Sequence, residues 1–208
     1  YKRQVVHRAQ ASVYDVAKRL PAYAGKLVEK ELSVLSTVAQ KPEHPYVVVL
    51  GGAKVSDKLG VIEALADKAD KVIIGGGMCY TLLAAKGYNV QESLLQEDQI
   101  DNCKELLERF GDKLVLPVDL IAASKFAADA EHQVVELDGI PEGWMSLDIG
   151  PKSVEHFAEV LASSKTVFWN GPMGVFEMEA FSKGTAGVAQ AIICLLYTSD
   201  AADDTPCV

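Results

Sequence analysis

The sequence predicts an α/β fold built on a doubly wound parallel sheet with helices on both faces. Short runs that are almost entirely apolar, such as YVVVL at 46–50 and KVII at 71–74, alternate with longer segments of helical periodicity. Nearly continuous apolar runs are typical of parallel strands, which are buried on both faces. Glycine-rich turns follow these runs directly. Strands that alternate with helices in this way indicate right-handed crossovers within one parallel sheet.

The first helix is predicted over residues 25–40, because apolar residues recur there at helical spacing. They are Val28, Leu32, Leu35 and Ala39. Pro42 and Pro45 end this pattern, since proline removes a helical hydrogen bond and clashes with the preceding turn. The strand at 46–50 then begins.

The second helix is predicted to begin at Ser56, because serine often caps a helix N-terminus with its side-chain oxygen. Its apolar face carries Leu59, Ile62, Leu65 and Ala69. In this register Lys58 lies in the first turn of the helix, where it faces a ligand at the end of the preceding strand. Asp70 then leads into the strand at 71–74.

Two further helix–strand units follow in the same order. Apolar spacing predicts helices at 100–110 and 154–161, followed by the strands KLVLPV at 113–118 and TVFW at 166–169. Residues 119–147 differ, because a strand-like HQVVEL is followed by turn residues. We expect a small antiparallel excursion there. The complete pattern predicts a Rossmann-like three-layer sandwich.

Three glycine turns are predicted to meet at one edge of this sheet. LGGAK follows the first strand, IGGGM follows the second and WNGPMGVFE follows TVFW. Because the carboxyl ends of parallel strands lie at one edge, these turns face one crevice. Free N–H groups at a helix N-terminus, with roughly half a positive charge from the helix dipole, favour phosphate. Lys54 and Lys58 add two cations to the first turn, so the set indicates a polyphosphate site.

Composition argues against several other classes of protein. The 208 residues are 49% hydrophobic, which suits one large soluble domain or one domain with an appendage. A net charge of −9 argues against nucleic acid as a partner, because that surface needs a concentrated basic face. The 4 cysteines form no CxxC pair and the 4 histidines have no ligand spacing with them, so no metal site is expected. Unpaired cysteines, without a signal peptide or a long apolar run, predict a cytoplasmic protein with no membrane partner.

A nicotinamide-dependent oxidoreductase is one alternative, but its fingerprint is missing. That fingerprint needs G-x-G-x-x-G after a strand and an acidic residue about 20 positions further on. GGAKVSDKLG lacks the glycine spacing, and the strand at 71–74 ends at Gly75 where the acid would stand. No GxxxxGK[ST] of the Walker type occurs either. The second alternative is a nucleotide-binding module without catalysis.

Several long motifs resemble the carboxyl-terminal, nucleotide-binding domain of the phosphoglycerate kinase family. They are, in order, GGAKVSDK, IIGGGM, LPVD, IPEGWMSLDIGPKS, WNGPMGVFE and EAFSKGT. The likeness in order and spacing covers residues 5–193, and HRAQAS at 7–12 resembles the end of that family's substrate-binding domain. The resemblance therefore implies the end of the substrate-binding domain and an interdomain segment at 5–20. It implies a nucleotide-binding domain at 21–193, incomplete at its C-terminal end.

The resemblance also implies an activity and the residues that serve it. The family transfers a phosphoryl group reversibly between 1,3-bisphosphoglycerate and ADP, giving 3-phosphoglycerate and ATP, with magnesium on the nucleotide. Lys54 and Lys58 are the implied catalytic residues, and His7 and Arg8 are expected to bind the phosphate of phosphoglycerate. The implied nucleotide pocket also contains Gly51, Gly52, Gly75 and Gly76 on the adenosine side, Glu177 on the ribose, and Ser146, Gly150, Asn170, Gly171, Pro172, Val175 and Phe176. Ser146 stands where family members often have glycine.

The chain also departs from the family pattern, which makes it a truncated version of the fold. It lacks the family's amino-terminal domain, the arginine at the transferring phosphoryl group and a GGGDS-like segment whose aspartate meets magnesium. We therefore expect nucleotide affinity without turnover from this fragment of a monomeric enzyme. Residues 1–4 and 194–208 are expected to be non-native, because YKRQ and ICLLYTSDAADDTPCV continue neither the helix nor a family motif.

Overall fold

The computed structural model describes residues 11–198. The chain separates into two compact units, residues 1–41 and 42–208. The first unit contains a π-helical turn at Ala11–Asp15 and helix α1 at Lys26–Gln40, which confirms the first predicted helix. Several large apolar side chains of α1 are exposed, namely Leu27, Leu32, Val34 and Leu35. The domain boundaries that the family resemblance implies stay predictions.

The second unit contains the alternating strands and helices. Its strands are β1 Tyr46–Leu50, β2 Lys71–Ile74, β3 Leu114–Val115, β4 Asp119–Ala123, β5 His132–Glu136, β6 Met145–Ile149 and β7 Thr166–Asn170. Its α-helices are α2 Leu59–Ala66, α3 Met78–Ala85, α4 Ile100–Phe110, α5 Pro151–Ala162 and α6 Lys183–Thr198. Short 3₁₀ turns occur at Glu97–Gln99, Gly111–Lys113 and Glu179–Phe181.

The larger sheet is parallel and has the strand order β3-β2-β1-β7. The central strand β1 places Leu50 opposite Ile74 of β2 on one side and opposite Asn170 of β7 on the other. All residues of β1 are buried, as expected for a strand covered on both faces. The predicted α/β fold with a parallel sheet is therefore confirmed.

Helices cover this sheet and form its core. Val47 and Val49 of β1 pack in one cluster with Phe157 of α5 and Val188 of α6. Because side chains alternate along a strand, Leu50 points to the opposite face, where it is fully buried. Helix α2 packs against β1 and β2. The carboxyl ends of the strands therefore remain as the edge that carries the glycine turns.

Two strands of this sheet differ from the predictions. Only Leu114–Val115 of KLVLPV pairs with β2, because Pro117 has no N–H to donate to a ladder. The side chains of Thr166–Asn170 are half-buried or exposed, although a strand buried on both faces is predicted there. Strand β7 pairs with β1, and its other edge has no partner strand within residues 11–198.

The predicted antiparallel excursion is confirmed and is larger than the sequence indicates. Strands β4, β5 and β6 form a separate antiparallel sheet in the order β5-β4-β6. The pairing of β4 with β6 shifts register between Ile121 and Ala122. A second apolar cluster joins this sheet to the turn Glu179–Phe181, with Leu147 and Phe181 at its centre.

The predicted cap at Ser56 is wrong. Helix α2 begins at Leu59, and Lys58 occupies the N-cap position without a side-chain capping bond. Ser56 instead bonds to Gln96, whose Oε1 accepts the Ser56 N–H at 3.1 Å and whose Nε2 donates to the Ser56 Oγ at 2.9 Å. A tertiary partner therefore replaces the local one, and Lys58 precedes the first turn of the helix.

Helix α6 continues beyond residue 193, where the sequence pattern predicts that the helix stops. It runs from Lys183 to Thr198. Ile192 and Leu195 are partly buried against the main core cluster, so apolar packing supports the additional turn. The origin of residues 194–208 stays a prediction.

Candidate functional site

The three glycine turns meet at the carboxyl edge of the parallel sheet. The Gly51 N–H donates to the Asn170 carbonyl at 2.9 Å, and the Gly52 N–H donates to the Pro172 carbonyl at 3.2 Å. The Gly76 N–H donates to the Met173 carbonyl at 2.8 Å. The turns after β1 and β2 are thus both bonded to the turn after β7. The prediction that the three turns share one crevice is confirmed.

The turns approach so closely that side chains would separate them. A Cβ on Gly51 would lie 2.0 Å from the Pro172 carbonyl oxygen, and one on Gly171 would lie 2.3 Å from the Gly51 carbonyl oxygen. Gly76 has a φ of +66°, and its Cβ would lie 2.6 Å from the Gly52 nitrogen. Both the left-handed backbone and the short distances therefore require glycine.

Two lysines stand at one end of this crevice. Lys58 Nζ donates to Asn170 Oδ1 and so links the start of α2 to the end of β7. Lys54 lies exposed in the turn after β1. The contact of Ser56 with Gln96 fixes the same turn from the side. Lys58 therefore brings a cation to the place where the turns after β1 and β7 meet.

The crevice continues into a cleft of about 490 Å³. Among the predicted site residues, those that line it are Gly52, Gly76, Ser146, Pro172, Val175 and Glu177. The remaining lining residues are Ala53, Gly77, Tyr80, Glu92, Leu94, Phe126, Met145, Leu147 and Gly174. Mostly apolar walls with a few polar groups, at this size, are usual for a small-molecule site.

Sequence reasoning missed most of the apolar wall. Gly77 and Gly174 lie in the predicted glycine turns, so the glycine motifs could have identified them as site residues. Tyr80 and Met145 have apolar neighbours in sequence, as an ordinary core residue has, so no local pattern separates a cleft wall from a core. Phe126 is 61% exposed and lies in the excursion between β4 and β5, for which no ligand was predicted.

Several predicted residues lie behind the cleft or beside it. Gly75 donates its N–H to the Leu50 carbonyl at 2.9 Å, and its Cβ would lie 2.5 Å from the Met173 sulfur. Phe176 is 49% exposed and lines a separate depression of about 270 Å³ with Trp169. His7 and Arg8 lie outside the described residues.

Gly150 lies at the start of α5, against a buried carboxylate. Asp119 is fully buried and accepts the Ser153 N–H at 2.7 Å, the Ser153 hydroxyl at 2.6 Å and the Lys152 N–H at 3.1 Å. A Cβ on Gly150 would lie 2.3 Å from this carboxylate. Asp119, which belongs to strand β4, therefore caps the N-terminus of α5. Its carboxylate leaves no room for a side chain at position 150, which explains the glycine there. Gly150 is not among the residues that line the cleft.

A second buried carboxylate lies directly behind the cleft wall. Asp148 accepts the Ile149 N–H at 2.9 Å and the Gly184 N–H, at the start of α6, at 2.8 Å. A Cβ on Gly174 would lie 2.2 Å from Asp148 Oδ1. Burial raises the pKa of Asp148 to about 6, although both N–H bonds act in the opposite direction. Asp148 therefore links α6 to the turn that forms one wall of the cleft.

Buried thiols and other metal-binding side chains do not gather at the cleft. Cys79 and Cys103 are buried and free, and burial raises the pKa of both, that of Cys103 to about 11. Within residues 11–198, no three histidine, cysteine or acidic side chains are grouped so that they could hold a metal ion. The helices of the same described range are too short or too polar to cross a membrane.

Comparison with known proteins agrees with the motifs. A sequence profile described as phosphoglycerate kinase matches residues 4–200. The chain is 86% identical over 189 residues to the phosphoglycerate kinase of Corynebacterium aurimucosum, covering 91% of this chain and 47% of that protein. It is 77% identical over 190 residues to the phosphoglycerate kinase of Corynebacterium diphtheriae, again covering 91% of this chain and 47% of that protein.

A solved structure gives the same result for the fold. The phosphoglycerate kinase from Coxiella burnetii superposes with a TM-score of 0.81 and 41% sequence identity, covering 90% of this chain and 49% of that one. The chain thus spans about half the length of the relatives it matches. Its profile match and its identity over nearly the whole of its own length show that the chain belongs to the phosphoglycerate kinase family.

Proposed function

We propose that this chain is the nucleotide-binding half of a phosphoglycerate kinase. The complete enzyme would transfer a phosphoryl group reversibly between 1,3-bisphosphoglycerate and ADP, giving 3-phosphoglycerate and ATP. The observation that carries the proposal is the meeting of the turns after β1, β2 and β7 beside a mostly apolar cleft, with the Lys58 ammonium bonded to Asn170 at the end of β7. Such a cleft suits a ligand with a flat apolar body and a polyanionic tail.

The apolar cleft and the lysines of the turn after β1 suggest how a nucleotide binds. We place the base against the apolar wall that includes Tyr80 and Val175, and the ribose hydroxyls near Glu177, whose carboxylate accepts hydrogen bonds. The phosphates then extend toward Lys54 and Lys58. In this orientation both ammonium groups face the anionic tail.

Lys54 and Lys58 are the proposed catalytic residues. Phosphoryl transfer needs little covalent help from a protein, because the reaction requires two anions in line and a neutralised charge on the equatorial oxygens. Fixed cations placed before the reaction supply that neutralisation without reorganisation. The bond from Lys58 to the Asn170 side chain supports this role, since it orients the ammonium group toward the phosphate end.

Magnesium is expected to accompany the nucleotide. The described residues do not fit a protein-held ion, because they offer no cluster of three suitable ligands. The nucleotide phosphates would hold the ion, together with the aspartate that the family resemblance implies and that does not occur among residues 11–198. His7 and Arg8 remain proposed contacts to the phosphate of phosphoglycerate. A monomeric, cytoplasmic enzyme is part of the same proposal.

Calorimetric titration of the chain with ADP, ATP and NAD tests the proposed nucleotide site. We expect measurable binding of ADP and ATP and none of NAD, and no phosphoryl transfer to 3-phosphoglycerate by this chain alone. Binding of NAD in preference to ADP would favour an oxidoreductase and overturn the proposal. A longer chain that includes this sequence and binds ADP without any transfer would instead identify a non-catalytic binding module.

A further inference from the structure

The inner wall of the cleft contains a buried hydrogen-bond network that no predicted role explains. The Tyr80 hydroxyl lies 3.0 Å from Ser146 Oγ, and the Ser146 N–H donates to Ser93 Oγ at 2.9 Å. Tyr80 and Ser146 are each 3% exposed, and both line the cleft. The network joins three parts of the chain, namely α3, the segment before α4 and strand β6.

The surroundings of Ser146 determine the direction of the bond to Tyr80. Ser146 Oγ lies 3.3 Å from the Asp148 carbonyl oxygen and 3.4 Å from the Ile121 carbonyl oxygen. A hydroxyl has one proton, so Ser146 donates it to one of these carbonyls and accepts from Tyr80. Burial raises the pKa of Tyr80 far above its usual range, which keeps the phenol protonated as the donor.

This bond prevents the Tyr80 ring from moving away from the cleft. If the ring rotated, its hydroxyl would lose a partner in a buried environment, and an unsatisfied buried hydroxyl is costly. The ring is also held at its base, because Tyr80 lies in the first turn of α3 and its N–H contacts the Gly77 carbonyl at 3.4 Å. The wall at Tyr80 is therefore rigid.

We propose that Tyr80, held by Ser146, limits the size of the base that the cleft accepts. The proposal rests on the proposed nucleotide function, and it makes Tyr80 a specificity-determining residue and Ser146 its positioning residue. Glycine at position 146 would remove the acceptor and release the ring. A smaller side chain at position 80 would open space for substituents on the base that the native wall excludes.

Calorimetry on the 208-residue chain tests this with ADP and three enlarged analogues. The analogues carry a benzyl group on N6, a methylthio group on C2 or a bromine on C8, so that each exposed edge of the purine is enlarged in turn. For the native chain we expect at least one analogue to bind about tenfold or more weakly than ADP. Tyr80→Ala should reverse that preference by about tenfold or more, because it removes the blocking ring.

Two further variants separate the ring from its hydrogen bond. Tyr80→Phe removes the donor and Ser146→Ala removes the acceptor of the same hydrogen bond, so both should weaken the preference for ADP by allowing the ring to move, and both by less than Tyr80→Ala does. Tyr88→Ala is the matched control, because Tyr88 follows the same helix and lines a different cavity. If Tyr80→Ala does not fold, as judged by circular dichroism, Tyr80→Leu provides the same opening with a smaller loss of packing.

The outcomes distinguish this proposal from the proposed function. A native chain that binds neither ADP nor any analogue overturns both. A native chain that binds ADP, together with Tyr80 variants whose affinity ratios equal the native ratios for all three analogues, overturns only the role of Tyr80. A change in ratio in Tyr88→Ala as large as that in Tyr80→Ala would also overturn it, because a general loss of rigidity would then be the cause.

Discussion

At the scale of single residues, Lys58 is the side chain that connects the fold to the proposed chemistry. We expect Lys58→Ala to lower the rate of phosphoryl transfer about 10²- to 10³-fold, or roughly 3 to 4 kcal/mol, in a full-length enzyme that carries this sequence. The physical reason is the loss of a fixed cation at the transferring phosphates. Steady-state kinetics measure the effect, with Lys104→Ala on α4, an exposed lysine paired with Asp101, as the control. Near-normal turnover in Lys58→Ala would remove this lysine from the mechanism.

Gly76 allows a sharp test of close packing between the turns. Gly76→Ala combines a φ of +66° with a Cβ 2.6 Å from the Gly52 nitrogen, whereas Gly87→Ala has a φ of +97° and no atom within 4 Å. Backbone strain alone costs about 1 kcal/mol, and overpacking adds about 1 to 3 kcal/mol. We therefore expect Gly76→Ala to lower the free energy of unfolding in urea clearly more than Gly87→Ala does.

The same pair should also differ in ligand binding. Gly76→Ala should weaken ADP binding because it displaces the turns that form the cleft, and Gly87→Ala should leave ADP binding unchanged. Equal losses of stability and equal ADP affinities in the two variants would show that the turns tolerate separation, contrary to the distances between their backbones.

At the scale of elements, two buried aspartates each join a strand to a helix that lies more than 30 residues further along the chain. Asp119 of β4 caps α5, and Asp148 of β6 bonds to Gly184 at the start of α6. A carboxylate near a helix N-terminus is favoured by the helix dipole. Both helices belong to the layer that covers one face of the parallel sheet, so these two bonds fix that layer to the antiparallel sheet.

Asp148 makes the stability of the fold depend on pH in a specific direction. Its pKa is raised from 3.8 to about 6, so the folded state holds the proton more tightly than the unfolded state does. This contribution to the free energy of unfolding is present below pH 4 and is lost as the pH rises through about 6. The expected size is about 2 to 3 kcal/mol.

Urea unfolding of the native chain and of Asp148→Asn, measured from pH 4 to pH 7.5, tests this dependence. The free energy of the native chain relative to the variant should fall across that range, and subtraction cancels the contributions of other carboxylates such as Asp70. Asp138→Asn, at an exposed position, should run parallel to the native chain. A parallel curve for Asp148→Asn as well would show that Asp148 keeps an ordinary pKa.

Most of the helices and strands were predictable from the sequence, but their long-range side-chain contacts were not. Apolar spacing predicted helices α1, α2, α4 and α5 and the parallel strands, because burial of one face is a local requirement repeated along each element, but it predicted neither β4 nor β6 as a separate strand. It did not predict that Ser56 would bond to Gln96, a residue 40 positions away, or that Asp119 would explain Gly150. Such side-chain partners depend on which loops the fold brings together.

At the scale of the whole molecule, part of the candidate site was predictable from the sequence and part was not. The glycine turns and lysines were predictable, since parallel strands bring their carboxyl ends to one edge whatever lies between them. The apolar wall was not predictable, because Tyr80 and Met145 reach the cleft only through the packing of the antiparallel sheet beside the parallel one. Only the folded arrangement distinguishes these residues from core residues.

All the residues that line the cleft belong to the unit 42–208. The first residues of this unit are also tied to it, since the Glu43 N–H donates to Thr166 Oγ1 at 3.0 Å and His44 Nδ1 lies 2.6 Å from Asp70 Oδ2. A cut between residues 41 and 42 therefore removes none of the described residues that line the cleft. It leaves the strand at 46–50 with its anchoring segment intact.

We therefore expect a chain that begins at Pro42 to bind ADP with an affinity within about threefold of the 208-residue chain, a difference below about 1 kcal/mol. Bound ADP should stabilise both chains equally, by about 2.7 kcal/mol when its concentration is about 100 times the dissociation constant. Calorimetry and thermal unfolding with and without ADP measure the two effects. A loss of ADP affinity beyond tenfold in a shortened chain that still unfolds cooperatively would mean that residues 1–41 supply part of the site, which the residues lining the cleft argue against.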